Sequence, residues 1–185
     1  MLEDKIILGI DPGTTVTGYG MIHLKGKKME LLNFGIIQLN KIPTHPDKLK
    51  RIYDRVEGLI REYKPDEMAI EAPFFGKNVQ SMLKLGRAQG VAIATALHHN
   101  IPFEEYTPRR IKQAVTGSGS ASKEQVAAML QKILKFEETP KYLDATDGLA
   151  VAVCHHYSKG IGEHNKSKSS NWGSFVKNNP GRSKN

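Results

Sequence analysis

The chain has one cysteine in 185 residues. No internal disulfide can form, so the fold stands on an ordinary packed core, for which this length suffices. The lone thiol, Cys154, lies in an apolar helical run and reads as an inert core residue; a reducing compartment fits. Long hydrophobic runs are also missing. None is long enough to span a membrane, and Ile6 to Ile10 is too short for the apolar core of a leader. A cytoplasmic protein without membrane attachment is expected. There is no internal repeat. The seven histidines show no metal-ligand spacing; His98-His99 and His155-His156 are adjacent pairs that face different ways on a helix. Acidic residues are in deficit, 19 against 27 lysines and arginines, which gives +8 and a pI of about 9.5. A basic excess of this size points to a polyanionic partner, nucleic acid ahead of a membrane surface.

What is present is organised around the first strand, Lys5-Ile6-Ile7-Leu8-Gly9-Ile10-Asp11. An unbroken apolar run is how a strand reads when both its faces are covered. Pro12-Gly13 ends it, so Asp11 is the last residue of a buried strand. A carboxylate there needs compensation, by a metal, by a substrate or by its own turn. Val16 to His23 alternates as a second strand, Lys25-Gly26-Lys27 is a hairpin tip, and Met29 to Gln38 is a third strand. Tight turns make these an antiparallel meander. Gly18 and Gly20 leave room for a close backbone or ligand approach.

Pro43 to Pro46 reads as a loop. From Asp47 the apolar residues Leu49, Ile52, Tyr53, Val56, Leu59, Ile60 and Tyr63 keep helical spacing, and Lys64-Pro65 closes that helix. Glu67 to Glu71 is a short strand reached by a crossover, so it lies parallel to the first and again ends in a carboxylate. Phe74-Phe75 sit in the following loop and either pack beneath it or meet a ligand. A long helix from Asn78 to His99 carries small residues from Gly86 to Ala96 that permit close approach of another helix. Ile101 to Tyr106 is a further strand. A short helix or turn holds Arg109-Arg110 and Lys112, and Gly117-Ser118-Gly119-Ser120 is a flexible loop. Ser122 and Gln125 form a capping box before a helix to about Phe136. Thr139-Pro140 breaks the chain. The last helix, from about Tyr142 to Lys159, holds Asp144 and Asp147, three apart and therefore on one face. Asp144 alone could serve as a cap; Asp147 lies too deep for that. From Gly160 the composition turns to Asn, Ser, Lys and Gly. Residues 161–185 hold five basic residues against one acid, half of the chain's excess, and read as a disordered basic tail after a domain of residues 1–160.

Four acids, Asp11, Glu71, Asp144 and Asp147, converging in one cleft require a cation. All-oxygen ligands select a hard one, Mg²⁺ with Mn²⁺ able to substitute. Two such ions can clamp a phosphodiester. Meander, helix, strand, helix, strand, helix is the order of the ribonuclease-H-like fold, an α/β architecture with a mixed central sheet flanked by helices. Here a resemblance becomes specific. Gly9-Ile10-Asp11-Pro12-Gly13-Thr14 with Gly18-Tyr19-Gly20 resembles the opening of the RuvC family of Holliday junction resolvases. So do Ala69-Ile70-Glu71 with Phe74, Lys84 to Val91, Lys112-Gln113 with Gly117-Ser118-Gly119, and Asp144 to Ala150. The resemblance runs from Ile6 to about His156. It implies that Asp11, Glu71, Asp144 and Asp147 are metal-binding catalytic acids. It implies that Lys112 and Lys123 act near the scissile phosphate and that Phe74, with Phe75 beside it, stacks on bases at the crossover. Arg109 and Arg110 add to the basic DNA-binding surface. It further implies a homodimer that nicks two strands of four-way junction DNA symmetrically, two ions per site, and a branch-migration motor as partner. Two other enzyme classes share parts of this pattern. An ATP phosphotransferase of the sugar kinase and heat-shock ATPase type opens similarly but closes two such domains around its nucleotide. Small RNA-processing nucleases of a related resolvase-like family share the fold and acids but lack the Phe74 and Lys112 regions. A DNA-binding module without catalysis would not need Glu71 or Asp147 where they stand.

Overall fold

The computed structural model describes residues 4–26, 28–73, 78–136 and 143–166, with no side chains described from 160 on. Five strands form one sheet in the order β3-β2-β1-β4-β5. They are β1 (Asp4–Asp11), β2 (Val16–Lys25), β3 (Lys28–Gln38), β4 (Glu67–Glu71) and β5 (Phe103–Tyr106). The meander β1-β2-β3 is antiparallel, and β4 joins β1 in parallel, with β5 parallel to β4. The expected mixed sheet is thus the observed one. Among the described residues no helix is long and apolar enough to cross a membrane.

Side chains alternate along the strands, so each face has its own core. Leu8, Ile10, Met21, Met68 and Ile70 pack under α1 (His45–Tyr63) and α2 (Val79–His98). Ile7, Ile22, Leu24 and Ala69 pack under α3 (Pro108–Thr116), α4 (Lys123–Leu134) and α5 (Asp144–Lys166). The parity decides where the acids point. Asp11 follows Ile7 and Gly9 at two-residue steps, so it lies on the α5 face. Glu67 and Glu71 flank Ala69 on that same face.

α5 lies unusually close to the sheet. A Cβ at Gly9 would overlap the Gly148 carbonyl and the Ala152 amide; at Gly18, the Asp144 carbonyl; at Gly20, the Leu149 backbone. A Cβ at Gly148 would stand 2.5 Å from the Tyr19 Cα. Backbone therefore rests on backbone, and the close approach expected at Gly18 and Gly20 is made by α5. The far end of α5 is held by polar contacts. Glu67 accepts hydrogen bonds from Lys5 Nζ at 3.1 Å and from Lys159 Nζ at 2.5 Å, and its other oxygen lies 2.7 Å from His155 Nε2. The His155 ring is buried and its Nδ1 meets the Tyr106 hydroxyl at 2.9 Å. Burial alone would raise the Glu67 pKa, but hydrogen bonds from Lys159, His155 and Lys5 prevail and hold it at about 2.

Several boundaries differ from the sequence expectation. α1 starts at His45 rather than Asp47, because Thr44 accepts from the Asp47 amide as N-cap and Pro46 is tolerated in a first turn. β5 starts at Phe103 rather than Ile101; Pro102 has no N–H for the ladder, though its carbonyl accepts from Met68. α4 stops at Leu134 because Lys135 takes a left-handed conformation, φ 54°. The Ser122–Gln125 capping box forms as expected. α5 continues to Lys166, past the expected change at Gly160. The break at Thr139-Pro140, Tyr142 and residues 167–185 of the tail lie outside the described residues.

Two measurements test this packing. Gly20→Ala should destabilise the fold by about 1–3 kcal/mol, since overpacking against backbone has no side chain to yield; a melting temperature equal to wild type would refute the contact. Glu67→Gln should cost about 1–3 kcal/mol at pH 7, in the range for hydrogen bonds to a charged group. The Glu67 carboxylate has a lowered folded pKa. Its contribution is present above the ordinary value near 4.5 and disappears as pH falls toward 2. Wild type should therefore lose its advantage over Glu67→Gln through that window, and a constant difference down to pH 2 would show that Glu67 acts without its charge.

Candidate active site

The cleft forms where β1 and β4 end side by side. Ile10 pairs with Ile70 in parallel register, which sets Asp11 next to Glu71 one step further on. The first turn of α5 supplies Asp144 and Asp147. Its position is fixed by the contacts of Gly148 and the Asp144 carbonyl on β2. Asp11, Glu71 and Asp147 line a cavity of about 210 Å³ together with Lys112, Lys123, Pro108, Ile111, Val126 and Ala150. Lys112 comes from α3, and Lys123 is the first residue of α4, placed by the Ser122 cap.

Lys123 bridges the two aspartates, with Nζ 3.2 Å from Asp144 Oδ1 and 2.5 Å from Asp147 Oδ2. Burial works against its charge, but hydrogen bonds to Asp147 and then Asp144 prevail and raise its pKa. The ammonium therefore stays protonated. The acids carry the opposite imbalance. Burial, then the charges of Glu71 and Asp147, push Asp11 well above the usual carboxylate range, with Lys123 opposing. Burial and Asp147 push Glu71 up to about 7 against the pull of Lys123 and Lys112. Asp147 is raised by burial despite its bond to Lys123. Among the described residues neither Asp11 nor Glu71 has a hydrogen-bonded side-chain partner for its carboxylate.

This donor set fits a hard divalent cation, because it is all carboxylate oxygen and short of positive charge. Among the described residues no three potential ligands are gathered closely enough to hold an ion as they stand. Among the described residues the Lys123 ammonium bridges Asp144 and Asp147, and Lys112 adds a second positive charge to the cavity.

Six of the residues expected at the site are thus brought to one place: Asp11, Glu71, Asp144, Asp147, Lys112 and Lys123. Asp144 is at its rim, 45% exposed, and reaches the others through Lys123. Arg109 and Arg110 point elsewhere. The Arg109 side chain packs against Gly119, and Arg110 Nη2 donates to Ser158 Oγ at 3.2 Å, far along α5 from Asp147. Phe74 and Phe75 lie outside the described residues. Gln89, which the sequence shows only as one residue of the Lys84 to Val91 stretch, is buried and donates to the Glu71 carbonyl oxygen at 3.4 Å. Its signal was a polar residue within the small-residue helix. His155, which in sequence is only one of an adjacent histidine pair, has as its partner Glu67, marked only by strand parity with Glu71.

The family model described as crossover junction endodeoxyribonuclease RuvC matches residues 7–155. A protein of that name from Cytophaga hutchinsonii is 62% identical over 98% of this chain and 89% of its own length. A Thermus thermophilus RuvC structure in complex with a Holliday junction substrate is 32% identical, with TM-score 0.79, covering 85% of this chain and 96% of that one. A yeast mitochondrial Holliday junction resolvase shares the fold at TM-score 0.65 and 15% identity, covering 87% of this chain and 81% of its own.

The raised acids make a stability test. A carboxylate whose folded pKa lies above its unfolded value costs stability once ionised. For Glu71 the loss accumulates as pH rises from near 4.5 to about 7. In chelator, Glu71→Gln and Asp11→Asn should melt at or above wild type at neutral pH, and the Glu71→Gln difference should shrink as pH falls below about 5. A lower melting temperature for either variant at neutral pH would mean that the acid is structural.

Proposed function

The chain belongs to the RuvC family of crossover junction endodeoxyribonucleases and is a nuclease, and we propose that it resolves four-way DNA junctions by Mg²⁺-dependent, symmetric nicking of two strands. The observation that carries this reading is the parallel pairing of β1 and β4, which sets Asp11 beside Glu71 and opposite the Asp147 turn of α5. Mg²⁺, or Mn²⁺ in its place, would be held by Asp11, Glu71, Asp144 and Asp147, two ions being proposed. Bound there, such ions supply an activated water and stabilise the leaving oxygen of an in-line displacement.

The chain's own groups do the rest. Asp11 and Glu71 present their carboxylates at fixed strand ends, where the sheet prevents their retreat. Lys123 and Lys112 present positive charge to the oxygens of the phosphate in the same cleft, where charge grows during attack. The buried wall of Ile111, Val126 and Ala150 limits water and strengthens these interactions. Phe74 or Phe75 would stack on unpaired bases near the crossover. Arg109 and Arg110 would contribute through the wider basic surface rather than within the cleft. A branch-migration motor partner and a cytoplasmic setting belong to the same reading by family resemblance. The basic residues 161–185 would add non-specific affinity by counterion release.

Cutting two strands calls for two such clefts, and one chain supplies one. α2 offers the surface for a second copy. Val79, Leu83 and Leu97 are exposed on one face, and Gly86 and Gly90 leave open space between them. Ala88, Ala92 and Ala96, on the other face, are buried in the chain's own core. The small residues from Gly86 to Ala96 thus divide between inside and outside.

With a synthetic mobile junction and matched linear duplex, Mg²⁺ should elicit paired symmetric nicks in the junction alone. Asp11→Asn should abolish them while sparing junction binding, and Lys123→Gln should slow them by about 10²-fold, the usual scale for losing one charge-stabilising donor. Full cutting by Asp11→Asn would sink the reading. Leu83→Glu should shift sedimentation toward monomer and uncouple the two nicks; an unchanged dimer would move the interface off α2.

A further inference from the structure

A second basic cluster lies on the other side of the sheet from Lys112 and Lys123. Lys48, on α1, reaches the turn after Asp11 and donates to the Thr14 carbonyl at 3.0 Å. Lys84 and Arg87, on α2, come just before Gln89, the residue that touches the Glu71 carbonyl. Both are exposed, and among the described residues neither has an ion-pair partner. The charges of all three act on His45, whose Nε2 is buried without a hydrogen-bond partner. Burial, then Arg87, Lys84 and Lys48, hold the His45 pKa below its ordinary value. The ring is therefore a neutral polar group within reach of three positive charges. The nearby acid of the first turn of α1, Asp47, is taken by the Thr44 hydroxyl. Like charges gathered over an unpartnered polar atom indicate a missing anion.

We propose that Lys48, Lys84 and Arg87, over His45, form a seat for a DNA backbone phosphate flanking the cleft on the α1–α2 side. The proposal rests on the nuclease reading above and adds to it a path for the strand. Lys112 and Lys123 face the phosphate in the cleft from the α3–α4 side, and this seat holds a neighbouring phosphate where β1 and β4 end against α1 and α2. One strand crossing the sheet edge then meets cations on both sides of the acids. Without the second set, a strand would approach Asp11 and Glu71 with cations on the α3–α4 side only.

The test is junction binding in chelator, followed by fluorescence anisotropy across a salt series. Each lost phosphate contact lowers the steepness of log K against log salt by about 0.9. Lys84→Gln with Arg87→Gln should reduce it by about 2 and weaken binding roughly ten- to a hundredfold at low salt. Lys84→Arg with Arg87→Lys should keep the wild-type slope. A control, Lys25→Gln with Lys28→Gln, removes the same charge at the hairpin beside Asp4, the opposite end of β1 from Asp11, and should keep the slope also. A wild-type slope in the Lys84 and Arg87 double variant overturns the seat. So does an equal loss in the control, which would assign the effect to net charge. Absence of Mg²⁺-dependent junction nicking by wild type would instead overturn the nuclease reading, independently of these slopes.

Discussion

Everything at the cleft depends on how closely one helix can lie on two strands. Glycine at 9, 18, 20 and 148 removes the side chains that would hold α5 off β1 and β2. Helices usually keep to a distance set by interdigitating side chains; here the Gly148 backbone touches the Tyr19 backbone. Two acids on a helix turn and two on strand ends can then share one small cavity. With ordinary side chains at these positions the helix would stand further out, and Asp147 would face solvent rather than Asp11 and Glu71. Gly18 meets the Asp144 carbonyl itself, so the contact fixes the acid-bearing turn as well as the helix axis.

The two glutamates of β4 show how position sets chemistry. They are four residues apart, on one face of a five-residue strand, and both look toward α5. Glu67 is surrounded by donors from β1 and α5 and is held ionised down to about pH 2. Glu71 meets Asp147 instead, and burial lifts it to about 7. One end of α5 is thus tied to the sheet by charge attraction and the other carries charge repulsion. The attraction and the glycine contacts hold the helix in register while its first turn stays electrostatically unsatisfied.

Much of this is legible in sequence, for identifiable reasons. β1 reads as a central strand because both faces are covered and the run is unbroken, and its carboxylate stands out for the same reason. β4 follows from the crossover rule, and α4 from a cap with a two-sided signature. Gly18 and Gly20 announce a close approach without saying what approaches. What stays hidden is carried by contacts between distant segments. His45 sits in a stretch that reads as a loop, since Pro43 and Pro46 mask the Thr44 cap. His155 looks like any helical histidine until Glu67 is brought across 88 positions. The division of α2 into a buried alanine face and an open glycine face depends on where α1 lands. Arg110 stands two residues before Lys112 yet turns away from the cleft, because at about 100° per residue a helix sets the two on nearly opposite faces; Arg109 is drawn instead against Gly119.

The cleft is therefore a local departure from the consistency that marks the rest of the fold, and such departures are where function resides. In the protein alone the repulsion among Asp11, Glu71 and Asp147 has two counterweights among the described residues of the cavity, Lys123 and, more weakly, Lys112. Lys123 ties α4 to the first turn of α5 by bonding to both Asp144 and Asp147. It holds the acids in place by the same charge that a phosphate would draw on. A ligand that brings cations to the acids relieves the repulsion, and one that brings a phosphate competes for Lys123. If the acids take cations as proposed, the two events would favour each other, since cations at the acids would weaken the hold on Lys123 and free its charge for the backbone. Coupling of this kind needs no moving domain. It needs a lysine placed between two aspartates by a helix cap, and a helix held tightly enough that the aspartates cannot drift apart when the lysine lets go.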